Sequence, residues 1–157
     1  MPAKTVTLGR KVPAFAAAAS GGSKWKLADA AGRKLVVYFY PKDNTSGCTK
    51  EGDAFHHLHA KFRKAGTEIV GVSPDSVASH DKFIARYGFT FPLLADEDKA
   101  VCQLFDVWKE KSMYGRKYMG VERSTFLIDA KGVLRREWRK VKVPGHAEEV
   151  LAAAAEL

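Results

Sequence analysis

The run Lys34-Leu-Val-Val-Tyr-Phe-Tyr40 is apolar at nearly every position and rich in β-branched and aromatic residues. Such a run fits a central strand buried on both faces. Pro41 ends it, because proline has no amide hydrogen to give to a ladder. Ala54, Phe55, Leu58, Phe62 and Ala65 then recur at helical spacing, with Gly66 as a stop. A helix is therefore expected to start at 47–49 and to end before 66. Residues 67–73 form a second apolar strand pattern. Asp75 or Ser76 can cap a helix that carries Phe83, Ile84 and Tyr87 on one face and stops at Gly88. A short strand over 91–95 and a short helix over 98–105 follow. Residues 124–128 and 133–141 read as a hairpin about the turn Asp129-Ala-Lys-Gly132, and residues 146–157 as an alanine-rich closing helix. Near the start, the Ala-Ser-Gly-Gly stretch around Ser20 reads as a loop before residues 25–27.

Strand, helix, strand, helix, hairpin and helix describe an α/β layer fold. Parallel and antiparallel strands would share one central mixed sheet flanked by helices, a thioredoxin-like arrangement with an N-terminal extension. The 157 residues suit a single domain, 1–157, without internal repeats or linkers. With 46% hydrophobic and 28% charged residues, the chain is neither disordered, collagenous nor coiled coil as a whole. No apolar run approaches the ~20 residues that a membrane-spanning helix needs. Residues 1–11 are basic and 12–19 weakly apolar, but the apolar part is mostly alanine and sits late for a signal peptide. The expected location is the reducing cytoplasm.

Charge changes the picture in one place. Lys plus Arg is 26 against 18 for Asp plus Glu, a net of +8. Residues 108–142 hold eleven basic and four acidic side chains, so most of the excess lies there. Such a stretch can bind nucleic acid or acidic partners. It is read instead as a solvated β-hairpin, since it carries no RNA-binding or helix-turn-helix signature. Arg135, Arg136 and Arg139 would then offer a basic face to an acidic partner or to anionic glutathione. Cys48 and Cys102 make no disulfide framework, and no Cys-x-x-Cys or metal-ligand spacing exists, so neither a metal nor another cofactor is expected. His56, His57 and His59 read as surface or partly buried helix residues. Trp108 and Tyr114 either line a site's mouth or pack the core.

The sharpest chemical feature is Pro41-Lys-Asp-Asn-Thr45-Ser-Gly-Cys48. It puts a thiol at the first turn of a helix, among unpaired backbone N–H groups and at the positive end of the helix dipole. Both favour the thiolate, which is the nucleophile. The Thr45 hydroxyl can approach the same place, and Pro41 fixes the loop and shields the sulfur. From spacing alone, Cys48 is equally a small buried apolar residue.

The pattern Pro-x-x-x-Thr-x-x-Cys resembles the active-site motif of the peroxiredoxins. The longer text from Val37-Tyr-Phe-Tyr-Pro41 through Thr45-Ser-Gly-Cys48-Thr-Lys-Glu51 is similar to their Q branch, the bacterioferritin comigratory proteins. Gly9-Arg-Lys-Val-Pro-Ala-Phe15, Gly71-Val-Ser-Pro-Asp75, Phe91-Pro-Leu-Leu-Ala-Asp96, Phe105-Asp-Val-Trp108 and Arg123-Ser-Thr-Phe-Leu-Ile-Asp129 extend the resemblance over nearly the whole chain. It implies that Cys48 is the peroxidatic cysteine, with Thr45 and Pro41 completing its motif. It also implies that Arg123 is held against the sulfur from a distant strand. The backbone N–H groups of Gly47 and Cys48 would join Thr45 and Arg123 in holding the two peroxide oxygens in line. The implied activity is thiol-dependent reduction of hydrogen peroxide and small organic hydroperoxides through a Cys48 sulfenic acid. The branch is often monomeric.

Recycling departs from the family. Many members carry a resolving cysteine five residues after the peroxidatic one, where this chain has Asp53; others carry it in the next helix, where this chain has Ile84. Only Cys102 remains as a possible resolving residue, and its spacing with Val101, Leu104 and Phe105 suits a buried apolar position. A one-cysteine mechanism is therefore favoured, with thioredoxin, or glutathione with glutaredoxin, as the external reductant. The alternatives are recycling through a Cys48–Cys102 disulfide, or a non-catalytic basic binding protein on a thioredoxin-like scaffold.

Overall fold

The computed structural model describes residues 5–157. In chain order its strands and α-helices are β1 (Ala16–Ala19), β2 (Lys24–Lys26), β3 (Lys34–Phe39), α1 (Ser46–Lys64), β4 (Thr67–Ser73), α2 (Val77–Tyr87), β5 (Leu93–Ala95), α3 (Ala100–Leu104), β6 (Trp108–Met113), β7 (Arg116–Val121), β8 (Ser124–Ile128), β9 (Leu134–Trp138) and α4 (His146–Ala155). Seven strands form one sheet in the order β2-β1-β5-β4-β3-β8-β9. Strands β3, β4 and β5 run parallel, whereas β8 lies antiparallel against β3 and β1 against β5. This is the mixed, thioredoxin-like sheet that the element order predicts.

The alternation of side chains along the strands splits the core into two layers. Leu35, Val37, Phe39, Val70, Val72, Phe126 and Ile128 face one way and meet Cys102, Phe105 and Val121. Val36, Tyr38, Tyr40, Ile69 and Leu127 face the other way, against Phe55 and Phe62 of α1, Phe83 of α2 and Val150 of α4. Strand β3 is buried at every position from Leu35 to Phe39, as its unbroken apolar run requires. Helix α1 stops where Gly66 takes a φ of 67°, and α2 stops at Gly88 with a φ of 73°, the left-handed geometry that glycine adopts without strain. At the start of α2, the Ser76 side chain accepts a hydrogen bond from the Ser79 N–H.

Two regions depart from the sequence reading. The segment around Ser20 is a 3-10 turn joining β1 to β2, and these strands extend the sheet beyond β5. Four alanines carry little β propensity, so the strand is imposed by the exposed edge of β5. The basic stretch at 108–142 is two hairpins, since residues 108–121 fold into a two-stranded ribbon, β6–β7, outside the seven-stranded sheet. Its tip is Tyr114 and Gly115, with φ values of 52° and 77°. Tyr114 is 98% exposed, so it neither lines a site nor packs a core. Trp108 packs against the first core layer, with the Lys99 ammonium 5.6 Å from its ring centroid. The three histidines of α1 divide: His57 is exposed, His56 half-buried, and His59 buried against Phe91 and hydrogen-bonded to Thr90.

Candidate active site

Strand β3 delivers the chain to Pro41 at the carboxyl end of the parallel strands, where open α/β sheets form their crevices. Residues 41–45 cross to the start of α1. Tyr40 hydroxyl donates to Asp43 Oδ1 at 2.6 Å, Ser79 hydroxyl donates to Asp43 Oδ2 at 2.8 Å, and His80 Nδ1 lies 2.7 Å from the same oxygen. His80 Nε2 donates to the Leu94 carbonyl at 2.8 Å. The Asp43 N–H donates to Asp75 Oδ2, which also accepts from Ser73. Tyr87 donates to Asn44 Oδ1, and Asn44 holds a φ of 61°. Asp43, Asp75 and His80 bring ligand-type atoms within 4.8 Å of one another. Their hydrogen bonds account for these atoms as struts that pin the loop to β4 and α2.

The loop therefore presents α1 in a fixed attitude. Thr45 is its N-cap residue, and Thr49 is bonded to the Thr45 carbonyl at 2.8 Å. The N–H groups of Ser46, Gly47 and Cys48 precede that first bond and have no helical acceptor. Cys48 lies among them, 2% exposed. The Thr45 hydroxyl donates to the Lys42 carbonyl at 2.8 Å, which leaves its lone pairs to accept.

Arg123 follows β7 and reaches back 75 residues to this turn. Its Nη2 donates to Cys48 Sγ at 3.3 Å, and its Nη1 donates to Glu51 Oε1 at 2.6 Å. Gly47 makes the approach possible: a Cβ there would stand 3.2 Å from Arg123 Nη2. Glu51, one turn beyond Cys48 on the same helix face, is the participant that residue chemistry did not single out. Its spacing of three from Cys48 was the available signal. Burial pushes its carboxyl up to about 7 against the pull of Arg123, and its Oε2 is buried with no protein partner among the described residues. Arg123 is held above the usual arginine range because Glu51 and Cys48 outweigh its own desolvation.

Thus Arg123, Cys48 and Gly47 meet at the first turn of α1, with Thr45 as its N-cap and Pro41 at the head of the loop that leads into it. Cys102 does not join them. It is fully buried on α3 in the other core layer, across the sheet from Cys48. Burial and then the neighbouring Asp96 push its thiol far up. Asp53 is exposed on α1 and Ile84 half-buried on α2.

Residues 8–137 match the AhpC/TSA family. The chain is a peroxiredoxin of that family. Among similar proteins, the peroxiredoxin Bcp of Xanthomonas campestris is 58% identical over 134 residues, covering 85% of this chain and 84% of that protein. Peroxiredoxin Bcp of Bacillus subtilis is 46% identical over 147 residues, covering 94% of each. A solved structure of Xanthomonas campestris peroxiredoxin Q superposes with a TM-score of 0.87 at 54% identity, covering 90% of each chain. This peroxiredoxin thus lies in the Q, or Bcp, branch, and its thioredoxin-like fold is that of its relatives. Among the described residues no helix is long and apolar enough to cross a membrane.

Proposed function

We propose that this peroxiredoxin reduces hydrogen peroxide and small organic hydroperoxides with Cys48 as its nucleophile. The observation that carries the assignment of Cys48 is the 3.3 Å hydrogen bond from Arg123 to a sulfur seated in the first turn of α1. A guanidinium and free amides together stabilise a thiolate and can stabilise the charge that leaves it. The thiolate attacks one peroxide oxygen. The S–O bond forms as the O–O bond breaks, and the departing oxygen takes a proton to leave as water or alcohol. Cys48 is oxidised by two electrons to the sulfenic acid. Arg123, the free amides of Gly47 and Cys48, and the accepting lone pairs of Thr45 hold the two oxygens along the line of attack. Pro41 fixes the backbone at the head of the loop that leads to the sulfur. The alkyl peroxide reduction described for the Xanthomonas campestris bacterioferritin comigratory protein supports the organic substrates.

Recycling uses an external thiol, thioredoxin or glutathione with glutaredoxin. The first thiol condenses with the sulfenic acid, releasing water and leaving a mixed disulfide; a second thiol reduces that disulfide. The position of Cys102 across the sheet from Cys48 supports this one-cysteine route. With Cys48 only 2% exposed, the first turn of α1 opens before an external thiol attacks its sulfur. The protein acts as a monomer in the cytoplasm, and nucleic acid is not among its partners. The test is peptide mass after one equivalent of hydrogen peroxide with a sulfenic-acid trap present. A Cys48 adduct is expected, and a Cys48–Cys102 disulfide would overturn the one-cysteine route. Folded, reduced protein that stays unmodified would overturn the assignment of Cys48.

A further inference from the structure

Of residues 41–47, only Asp43 is buried. The loop that leads to Cys48 thus has a charged side chain as its one buried anchor, a place that apolar residues usually take. Among the described residues, the hydrogen bonds from the side chains and amides of 41–45 to other segments are those of Asp43 and the Tyr87 bond to Asn44. With only Asn44 between Asp43 and the Thr45 cap, the start of α1 keeps its place while Asp43 stays seated.

What seats it is His80, fully buried on α2. The geometry fixes the proton between them. His80 Nε2 stands 2.8 Å from the Leu94 carbonyl, which only accepts, so this nitrogen carries a hydrogen. His80 Nδ1 stands 2.7 Å from Asp43 Oδ2, and a bond there needs one proton more. Asp43 already accepts from Tyr40 on Oδ1 and from Ser79 on Oδ2, and such donors favour its anion. The extra proton therefore sits on the imidazole, and the contact is a buried ion pair. Asp75 adds a second carboxylate, with an oxygen within 4.8 Å of the facing atoms of both partners. Lys82 and Arg86 line the cleft beside Asp43, yet among the described residues His80 is its one ion-pair partner within 4.0 Å. One buried cation thus serves two carboxylates.

We infer that His80 and Asp43 are positioning residues for the peroxidase reaction: their ion pair holds the loop and the first turn of α1 closed on Arg123, and its separation governs how readily an external thiol reaches Cys48. This rests on the assignment of Cys48 and of an external reductant above. In the closed form the guanidinium lies on the sulfur and Cys48 is 2% exposed. A buried pair resists separation while both charges are present, and loss of one leaves the other uncompensated. Without the imidazolium, Asp43 and Asp75 are two close carboxylates with no cation between them, and the release of Asp43 toward water is favoured.

The test measures three things: oxidation of Cys48 by hydrogen peroxide, reduction of its sulfenic acid by dithiothreitol, and residue-resolved amide exchange. It compares the wild-type protein, His80→Gln, Asp43→Asn, the double variant and Ser76→Ala, which loosens the start of α2 without touching Asp43. A glutamine amide can still donate to the Leu94 carbonyl, so His80→Gln removes chiefly the charge. Reduction should quicken at least about tenfold in His80→Gln, as expected for one buried charge left unpaired. Oxidation should not quicken. Exchange of the Asp43 and Thr49 amides, bonded to Asp75 and to the Thr45 carbonyl, should quicken with it, while the Val37 amide of β3 keeps its rate. Adding Asp43→Asn removes the uncompensated carboxylate and should bring reduction back toward the wild-type rate, whereas a role of His80 in packing alone makes the double variant worse. Asp43→Asn by itself should quicken reduction in the same direction, and it carries the test if His80→Gln does not fold. Wild-type reduction and exchange rates in these variants, an equal rise in Ser76→Ala, or a double variant faster than His80→Gln would overturn the ion pair's role and leave the peroxidase intact. Failure of hydrogen peroxide to oxidise Cys48 in the wild-type protein would overturn both.

Discussion

Arg123 carries two loads at once, a sulfur on one nitrogen and a carboxylate on the other. Replacing it by methionine keeps much of the bulk and removes every donor. The expected loss in the rate of Cys48 oxidation is about 10²-fold, as for loss of one preorganised transition-state donor. Arg123→Lys should recover only part, because an ammonium cannot span Cys48 and Glu51 in the same fork. Single-turnover oxidation by hydrogen peroxide measures both, and wild-type rates in Arg123→Met would remove the arginine from the mechanism. Glu51 should set a second pH step. Above about 7 its ionised carboxylate draws the Arg123 charge away from the thiolate. The rate of Glu51→Gln relative to wild type should therefore rise between pH 6 and 8. A flat ratio across that range would place the Glu51 titration outside the site's chemistry.

At the scale of elements, the first turn of α1 is precise because its neighbours are fixed. Gly52, on the buried face of α1, packs against the ring of Phe89, where an added Cβ would meet Cζ at 2.8 Å. Gly52→Ala must therefore displace either the ring or the helix, and Phe89 is itself stacked on Phe91 and Tyr87. The expected cost is about 1–3 kcal/mol, read from urea unfolding, with slower Cys48 oxidation if the helix is what moves. Unchanged stability would show that the ring has room to yield. Helix α2 anchors the other side of the loop, and the Ser76 cap holds its start. Ser76→Ala should lower the unfolding free energy by about 1 kcal/mol. A loss below the error of the measurement would mean that α2 is held by Asp43 and packing alone.

For the whole molecule, two buried groups bias the pH dependence of stability in opposite directions. His146 is buried beside Trp138 and hydrogen-bonded to Thr125, and desolvation holds it below its ordinary 6.5. Its contribution is complete above 6.5 and is lost as pH falls through its lowered folded value. Glu51 is raised from 4.5 to about 7. Its contribution is complete below 4.5 and is lost as pH rises through about 7. Each unit of such a shift corresponds to about 1.4 kcal/mol. The unfolding free energy of Glu51→Gln should accordingly gain on wild type as pH rises from 5 to 8. Urea titrations at several pH values check this, and a constant difference would mean that Glu51 keeps its ordinary acidity in the folded protein.

The local pattern determined the elements whose burial is continuous or strictly periodic: β3, β4, α1, α2 and the β8–β9 hairpin. It also placed Pro41, Thr45, Gly47 and Cys48 together, because they are neighbours along the chain at a strand-to-helix turn. Arg123 was legible only through resemblance, since nothing in its own segment distinguishes it from a solvated charge. Tertiary structure decided what depends on distant partners. It made β1 a strand by giving it the edge of β5, folded residues 108–121 into a ribbon despite few apolar positions, and put Cys102 in the core layer opposite Cys48. It also turned Glu51 from a helix charge into the buried carboxylate that shares Arg123. Periodicity records which side of an element is buried. Which charges are lowered together into the same low-dielectric space is fixed only when the chain closes on itself.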